Sequence, residues 1–301
     1  MSPAPLLAST REELADLLAP RRGEGSPVAL VPTMGALHDG HAALLRLARE
    51  RAGRGAVVAS IFVNPLQFAP GEDLDRYPRT LDVDLEICAR EGVDVVFAPA
   101  SGEVYPDGEP LVSVEPGPLA HLLEGESRPG HFGGVLTVVA KLFGLTRPDL
   151  AVFGEKDYQQ LVLVRRMSRD LCLGVDVLAA PTVRESDGLA LSSRNRFLDP
   201  ADRRRAAVLS RALRAAQDRA SYGVEAARGA AMSELGTEPD VEIEYLAIRR
   251  PDLAAVDGPG SDGSGEARIL VAARVGGTRL IDNLPLLLGA EVGAEDPRVA
   301  R

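Results

Sequence analysis

The stretch that most constrains the fold runs from Val28 to His41 and reads VALVPTMGALHDGH. It opens with apolar residues that favour β-structure, which predicts a buried parallel strand. Pro32 is expected to end this strand, because proline cannot continue a hydrogen-bonded ladder. Gly35 and Gly40 permit a tight loop, and the residues from Ala42 to Arg51 then place their leucines on one helical face. The stretch therefore predicts a strand, a glycine loop and a helix in succession.

Two of the four histidines, His38 and His41, lie where this helix begins. A helix N-terminus presents unpaired N–H groups and positive partial charge, which suits a phosphate, and imidazoles add further donors. The residues alone leave open a plain role in which His38 caps the helix and His41 packs. Zinc is disfavoured, because no further cluster of cysteine or histidine could complete a site. The loop also lacks the P-loop signature and the G-x-G-x-x-G pattern of dinucleotide-binding proteins.

The fold class follows from strand-like apolar runs that alternate with helix-like runs over the first part of the chain. The runs cover residues 28–31, 55–63, 93–98, 151–153 and 175–179. This alternation predicts an α/β, doubly wound (Rossmann-like) parallel sheet in a domain spanning residues 1–182. Beyond Val183 two helices precede β-like runs at 241–248, 268–275 and 278–283. Residues 183–301 are therefore predicted to form a smaller α+β domain with a short antiparallel sheet.

Composition excludes several classes of function for this chain of 301 residues. A formal net charge of −10 argues against a nucleic-acid partner, which would require a basic face. No apolar run approaches the ~20 residues of a membrane span, and no signal peptide is evident. Cys88 and Cys172 stand alone in apolar surroundings and are expected to be buried thiols in a reducing compartment. We therefore expect a cytoplasmic protein.

Unusual polar residues follow several of the predicted strands. They are His38 and His41, Asn64 and Gln67, and Lys156, Asp157 and Gln160. Because the strand-to-helix connections of an open parallel sheet share one edge, where ligands bind, we expect these side chains to form one composite site.

Six sequence motifs, taken together, indicate one protein family. They are PTMGALHDGH (32–41), SIFVNPLQF (60–68), YPRT (77–80), RPGHFGGV (128–135), FGEKDYQQL (153–161) and SSRN (192–195). In this order they resemble the pantothenate synthetase (pantoate–β-alanine ligase) family of the nucleotidyltransferase and class I aminoacyl-tRNA synthetase superfamily. The resemblance runs from about Val28 to Asn283, with Leu191 standing where the family usually has methionine.

The resemblance implies a homodimer that converts (R)-pantoate, β-alanine and ATP to pantothenate, AMP and pyrophosphate through an acyl-adenylate. The implied catalytic residues are His41 as proton donor, His38, Lys156 and Arg194. The implied ATP-binding residues are Met34, Gly35, His38, Gly40, His41, Gly154, Lys156, Asp157, Val183, Leu191, Ser192, Ser193 and Arg194. Asn64, Gln67 and Gln160 are implied to bind pantoate or β-alanine. Mg²⁺ is expected to bridge phosphate oxygens, with Asp84 as a candidate protein ligand.

The residue types fit this chemistry, since lysine offers a compact cation and arginine a planar fork for phosphate. Phe68, Val138 and Val139 could form an apolar wall for the gem-dimethyl group of pantoate. Plainer interpretations stay open: Lys156 and Asp157 as a surface ion pair, the valines as core, and Arg128 and His131 as ligand contacts or loop braces. The rival functions are an adenylyltransferase that stops after moving AMP to an acceptor, and a nucleotide sensor without chemistry.

Overall fold

The protein is described by a computed structural model that covers residues 4–22, 26–69, 73–257 and 263–289. These residues form two compact units. The first contains the described residues up to Val183 together with Leu191–Ser193, and the second contains Arg184–Ala190 and the described residues from Arg194 onward. The division lies next to the predicted boundary at 182/183, but Leu191–Ser193 group with the first unit.

The first unit is an α/β structure. Its strands are β1 (Leu6–Ala8), β2 (Val28–Thr33), β3 (Ala56–Ile61), β4 (Val95–Phe97), β5 (Leu150–Gly154) and β6 (Asp176–Ala180). Its helices are α1 (Arg11–Arg22), α2 (Asp39–Ala52), α3 (Leu81–Arg90), α4 (Ser101–Val104), α5 (Glu124–Ser127), α6 (His131–Thr146) and α7 (Tyr158–Asp170). The strands pair in parallel in the order β1-β4-β3-β2-β5-β6, which confirms the predicted sheet. The edge strand β1 was not predicted.

The order of the strands reverses at the centre of this sheet. From β2 the chain proceeds outward to β3 and β4, and it then returns to place β5 and β6 on the opposite side of β2. Loops that leave neighbouring strands at such a reversal diverge and leave a crevice at the carboxyl edge, where α/β proteins bind ligands. The loop after β2, with the histidine pair, and the loop after β5, with Lys156, flank this crevice.

Pro32 lies inside β2, so the prediction that it ends the strand was wrong. The N–H of Phe62 donates to the carbonyl of Thr33 at 3.0 Å, which turns the backbone polar groups of Thr33 toward β3. Because adjacent residues of a strand point these groups to opposite sides, Pro32 turns toward β5. The pairing of β2 with β5 ends at Leu30, so the missing N–H removes no ladder hydrogen bond.

Three helices begin one turn earlier than predicted, at Asp39, His131 and Tyr158. The first turn of a helix tolerates polar and glycine residues, because its N–H groups have no intrahelical partner, and these residues carry no apolar periodicity. As a consequence, His41 and Gln160 lie within the first turns of α2 and α7 rather than in loops.

The second unit is α+β, as predicted. Its elements are α8 (Pro200–Ala206), α9 (Val208–Arg219), α10 (Val224–Leu235), β7 (Val241–Arg249), β8 (Gly265–Val275) and β9 (Thr278–Leu288). The strands form an antiparallel sheet in the order β7-β8-β9. Its core contains the inward faces of α9, α10 and the sheet, including Leu209, Leu213 and Ile269.

Cys88 is buried as predicted, but the prediction for Cys172 was wrong, because this thiol is exposed. Cys172 follows α7 with a positive φ of 52°, in a turn at the surface. Within the described residues, no helix combines the length and apolar character that crossing a bilayer requires.

Helix α6 makes a direct backbone contact with the segment that follows β3. A Cβ atom at Gly134 would lie 2.1 Å from the carbonyl oxygen of Leu66, a distance that no packing arrangement allows. The side chain of Asn64 also donates from Nδ2 to the carbonyl of Gly134 at 3.1 Å. Gly134 is therefore where α6 and this segment touch.

We predict opposite effects for two neighbouring substitutions. Gly134→Ala should destabilise the protein by about 1–3 kcal/mol, as overpacking does. In Gly133→Ala the new Cβ would meet its nearest neighbour at 4.0 Å. Because alanine favours a helix over glycine by up to about 1 kcal/mol, this control should be neutral or stabilising. Thermal unfolding midpoints measure both, and equal midpoints would contradict the close approach.

Candidate nucleotide and substrate site

The two histidines after β2 cap helix α2 reciprocally. His38 is the N-cap residue, and its Nδ1 accepts from the N–H of Gly40 at 3.1 Å. In return, Nδ1 of His41 accepts from the N–H of His38 at 3.3 Å. This is the arrangement of a capping box, in which two unpaired N–H groups are satisfied by side chains three residues apart. The capping role left open by the sequence is therefore real.

The cap determines which ring nitrogens carry protons. Because both Nδ1 atoms accept hydrogen bonds, each neutral ring must carry its proton on Nε2. The ring centroids are 4.1 Å apart. Burial is the main cause that lowers the pKa of His41 from 6.5 to about 3, and electrostatic repulsion from Lys156, and from His38 once that ring is protonated at low pH, adds to the shift, although Asp157 opposes it. His41 is thus neutral at neutral pH, and it can offer a hydrogen bond from Nε2.

Asp84 holds the loop between β2 and α2, which changes its predicted role. Its side chain is buried, and its Oδ2 and Oδ1 accept from the N–H groups of Ala36 at 3.0 Å and Leu37 at 2.8 Å. Both Gly35 and Ala36 have positive φ, at 83° and 51°, a conformation that costs free energy in Ala36. Thr80 donates a further bond at 3.2 Å. Asp84 therefore braces the loop and does not suit the predicted role of magnesium ligand, because both of its oxygens accept hydrogen bonds within the protein.

Lys156 and Asp157 occupy the other side of the crevice, in the short 3₁₀ turn after β5. Nζ of Lys156 lies 3.6 Å from Oδ1 of Asp157. The charge of Asp157 raises the pKa of His41 and that of Lys156 lowers it, both by less than burial does. At Gly154 an added Cβ would lie 3.7 Å from the side chain of Leu44, so α2 packs beside this turn. The structure therefore brings the loop after β2 and the loop after β5 together.

Asn64 is fully engaged inside the protein, which argues against the implied contact with substrate. Its Oδ1 accepts from the N–H of Leu66 at 3.3 Å and from the hydroxyl of Tyr105 at 2.8 Å. Its Nδ2 donates to Gly134, as described, and to Oε1 of Gln67 at 3.2 Å. An amide side chain has two donors and two acceptor positions, so none is left for a ligand. Asn64 orients Gln67 instead.

Gln67 is held from three directions. Besides the contact from Asn64, its Nε2 lies 3.0 Å from Sδ of Met34. Its main-chain carbonyl accepts from Nη2 of Arg128 at 3.2 Å and contacts Nδ1 of His131 at 2.8 Å. Nη1 of Arg128 also lies 3.1 Å from Nε2 of His131, and arginine can only donate, so His131 carries its proton on Nδ1. Arg128 and His131 therefore brace the segment, which answers the question that the sequence left open.

The remaining predicted substrate residues lie around this segment. The ring of Phe68 stands edge-on to that of Tyr77, with centroids 6.2 Å apart. Val138 and Val139 are buried on α6, as the core interpretation expects. Gln160 is half-buried in the first turn of α7, three residues beyond the strand-end turn that carries Lys156.

The predicted nucleotide residues near 183–193 approach the histidine loop within the first unit. The N–H of Leu191 donates to the carbonyl of Val183 at 2.9 Å. A Cβ added at Gly40 would lie 3.7 Å from Cβ of Leu191. Ser192 and Ser193 follow directly, whereas Arg194 lies in the 3₁₀ turn Ser193–Phe197 and groups with the second unit.

The segment 184–190 of the second unit is anchored by residues that the sequence did not single out. Arg184 donates to both carboxylate oxygens of buried Asp282, at 2.6 and 2.8 Å. Arg203 bridges Glu185 and Asp187, and its hydrogen bonds lower the pKa of Asp187. Bidentate arginine–carboxylate pairs fix geometry strongly. No local pattern predicts such partners, because Asp282 lies far along the chain.

A parallel sheet with capping imidazoles and a lysine at its switch point offers the donors that suit a phosphorylated ligand, as in many α/β proteins. Comparison with known proteins defines the class further. Residues 6–285 match the family model described as "Pantoate-beta-alanine ligase". The chain therefore belongs to the pantoate–beta-alanine ligase family, and it is a ligase.

Individual relatives agree with this placement. A pantothenate synthetase of Nocardioides sp. is 66% identical over 296 residues, covering 96% of this chain and 87% of the relative. The crystal structure of pantothenate synthetase from Thermus thermophilus has a TM-score of 0.85 at 51% identity, covering 93% of this chain and 98% of the other. The ligase from Francisella tularensis, complexed with "Beta-gamma ATP" and β-alanine, has a TM-score of 0.75 at 36% identity, covering 93% and 97%.

His41→Gln should flatten the pH dependence of stability. Glutamine is a standard third residue of a capping box, so the variant retains the cap without a titrating ring. A pKa lowered from 6.5 to about 3 means that His41 stabilises the fold fully above pH 6.5, and that this contribution is lost as the pH falls toward 3. Denaturant unfolding at a series of pH values should show a shallower decline for the variant. An unchanged slope would contradict the assigned neutral state.

Asp84→Asn should weaken ATP binding without changing the demand for Mg²⁺. The amide would direct a donor at one of two buried N–H groups, which costs about 1–3 kcal/mol and disorders the loop. We expect KM for ATP to rise by roughly tenfold or more, following from that cost. Asp82→Asn, the same change at an exposed residue of α3, is the control. Restoration of activity by extra Mg²⁺ would instead support a metal-ligand role.

Proposed function

We propose that this chain makes pantothenate from (R)-pantoate, β-alanine and ATP by way of an enzyme-bound pantoyl adenylate. The observation that carries the proposal is the switch-point crevice, where the rings of His38 and His41, each with its proton on Nε2, cap the start of α2 and Lys156 lies in the turn after β5. Membership of a ligase family that joins pantoate to β-alanine supports the substrates.

The first step in this proposal is attack of a pantoate carboxylate oxygen on the α-phosphorus of ATP. The new P–O bond replaces the bond to the β-phosphate, and pyrophosphate leaves with its electron pair. Negative charge grows on the phosphate oxygens, and preorganised donors lower the barrier by stabilising it. We assign this role to His38, His41 and Lys156. The implied proton-donor role of His41 is then hydrogen-bond donation from a neutral ring.

In the second step the neutral amine of β-alanine attacks the acyl carbonyl of the adenylate. The C–N bond forms, AMP leaves with the electrons of the C–O bond, and the amine loses a proton. Both steps need the reacting groups to be held in line, which is the main contribution of the loops that flank the crevice. The neutral amine is favoured at a site that already contains a lysine cation, because like charges lower the pKa of an amine.

Gln67 is proposed to bind pantoate as a donor. Asn64 donates to Oε1 of Gln67, so the Nε2 group of Gln67 points away from Asn64. This group can donate to a carboxylate or hydroxyl oxygen of the substrate. Gln160 is proposed as a second contact for the same substrate, and Phe68, Val138 and Val139 as the apolar wall. These roles rest on the motif match together with the orientation of Gln67.

The nucleotide is proposed to contact residues of both flanking loops and of the Ser-Ser-Arg motif. They are Met34, Gly35, Gly40, Gly154, Asp157, Val183, Leu191, Ser192, Ser193 and Arg194. The approach of Leu191 to Gly40 supports the inclusion of Val183 and Leu191 beside the helix N-terminus. Serine hydroxyls and the arginine fork suit phosphate oxygens.

Mg²⁺ is proposed to accompany ATP, held by phosphate oxygens. No group of three or more His, Cys, Asp or Glu side chains in the described ranges could hold a metal ion, and Asp84 is engaged by the loop. The protein residues therefore do not fit a resident metal site. Magnesium commonly binds substrate phosphates with few protein ligands, so the two statements agree.

A cytoplasmic homodimer that binds neither nucleic acid nor membrane is proposed for the assembled protein. Leu111 and Val112 expose almost the whole of their apolar side chains, which favours a protein contact at this loop. The free thiols of Cys88 and Cys172 suit a reducing compartment. Sedimentation equilibrium measures the mass, and a monomer at micromolar concentration would exclude the dimer.

Isotope exchange between pyrophosphate and ATP separates the candidate functions. The proposed ligase should exchange only with pantoate present, and should release pantothenate and AMP once β-alanine is added. An adenylyltransferase would exchange without forming pantothenate, and a sensor would not exchange. Exchange that is indifferent to pantoate would overturn the proposal.

Lys156→Gln should reduce kcat by about 100-fold or more, as loss of one charge-stabilising group does elsewhere. The substitution retains a polar side chain of similar length, so the fold should survive. Arg169→Gln on α7, an exposed cation beyond the turn, is the matched control and should retain normal turnover. Normal turnover in Lys156→Gln would remove Lys156 from the catalytic residues.

A further inference from the structure

Tyr105 contacts the segment after β3, which carries Asn64 and Gln67, although it lies in a different part of the chain. It lies directly after α4, and its side chain is 6% exposed. Its hydroxyl donates to Oδ1 of Asn64 at 2.8 Å, across 41 residues of sequence. This is the shortest of the four hydrogen bonds of the Asn64 side chain, the others being 3.1, 3.2 and 3.3 Å.

The orientation of Asn64 determines the orientation of Gln67. When Oδ1 of Asn64 faces the hydroxyl of Tyr105, its Nδ2 faces Oε1 of Gln67. Gln67 must then turn its own Nε2 away from Asn64, toward Met34. An amide without this constraint could rotate and present its oxygen to a substrate carboxylate, which would repel it.

We propose that Tyr105 is a positioning residue for pantoate, whose hydroxyl, together with the main-chain bonds to Leu66 and Gly134, holds the amide of Asn64 and thereby the donor face of Gln67. The inference rests on the proposed role of Gln67 in pantoate binding. Tyr105 would then affect substrate specificity without contacting the substrate. The role of Asn64, whose hydrogen-bonding positions are all used within the protein, would be to orient Gln67.

The main-chain partners of Asn64 determine that the hydroxyl of Tyr105 donates, because Oδ1 of Asn64 accepts from Leu66 and its Nδ2 donates to Gly134. Burial raises the pKa of Tyr105 to about 12, so it remains protonated at any pH at which the enzyme works. Its ring lies 6.0 Å from that of Phe62, and Nζ of Lys141 stands 5.5 Å from its centroid. These contacts involve the ring, so Tyr105→Phe should retain the packing and remove only the hydrogen bond.

The test is a double-mutant cycle between Tyr105→Phe and Gln67→Met, measured by pantoate-dependent exchange of pyrophosphate with ATP. Tyr105→Phe should raise KM for pantoate by about 3- to 10-fold, the range for one lost hydrogen bond, and leave KM for ATP within about twofold. In the Gln67→Met background the same change should alter KM for pantoate by less than about twofold, because the amide through which it acts is gone. Tyr222→Phe, a hydroxyl deletion at an exposed residue of the second unit, is the control.

The results distinguish the role of Gln67 in pantoate binding from the positioning role of Tyr105. If Gln67→Met leaves KM for pantoate unchanged, the proposed role of Gln67 is wrong and the inference fails with it. If Gln67→Met raises that KM but Tyr105→Phe does not, or if the effects of the two changes are additive, the proposed function stands and the positioning role is overturned. Equal increases in KM for pantoate and for ATP would mark Tyr105 as a general structural residue, which also overturns it.

Discussion

The reciprocal hydrogen bonds between His38 and His41 are the constraint on which the rest of the site depends. A helix must satisfy the unpaired N–H groups of its first turn, and here two imidazoles do so through Nδ1. The same two bonds place both protons on Nε2, and burial keeps His41 neutral. One structural requirement therefore produces two oriented donors at the positive end of a helix dipole, a position that favours phosphate. Structure and chemistry are not separate roles for these residues.

The sheet supplies the second condition, because the capped helix follows β2 at the position where strand order reverses. The loop between them contains successive residues with positive φ, and buried Asp84 compensates by accepting two of its N–H groups. The segment after β3 is stabilised in the same manner, with Asn64 satisfied from every side and the carbonyl of Gln67 held by Arg128 and His131. In both places a buried polar side chain is fully hydrogen-bonded, so it makes the surrounding loop rigid instead of destabilising it. The loops can then hold reacting groups in line.

The sequence predicted the parallel sheet, the second α+β unit and the edge at which the polar residues gather, because apolar runs and strand ends are local signals. It did not predict partners that are remote in sequence. Asp84 was expected to hold a metal because a carboxylate near a phosphate site suggests one, whereas its partners lie on a loop 47 and 48 residues away. Asn64 was expected to contact substrate, because no nearby sequence pattern shows that the hydroxyl of Tyr105 donates to its side chain. The strand position of Pro32 was not predicted, because it depends on where the pairing of β2 with β5 ends. The early helix starts were not predicted, because their first turns carry no apolar periodicity.

The most direct test of this account is the tautomeric state of the histidines, measured by two-dimensional ¹H–¹⁵N NMR of protein labelled at its four histidines. Single substitutions assign the signals. At neutral pH we predict that His38 and His41 are neutral with the proton on Nε2, whereas His131, which donates from Nδ1 to Gln67, shows the opposite tautomer in the same spectrum. Protons on Nδ1 of His38 or His41, or a charged His41 in the free enzyme, would contradict the account.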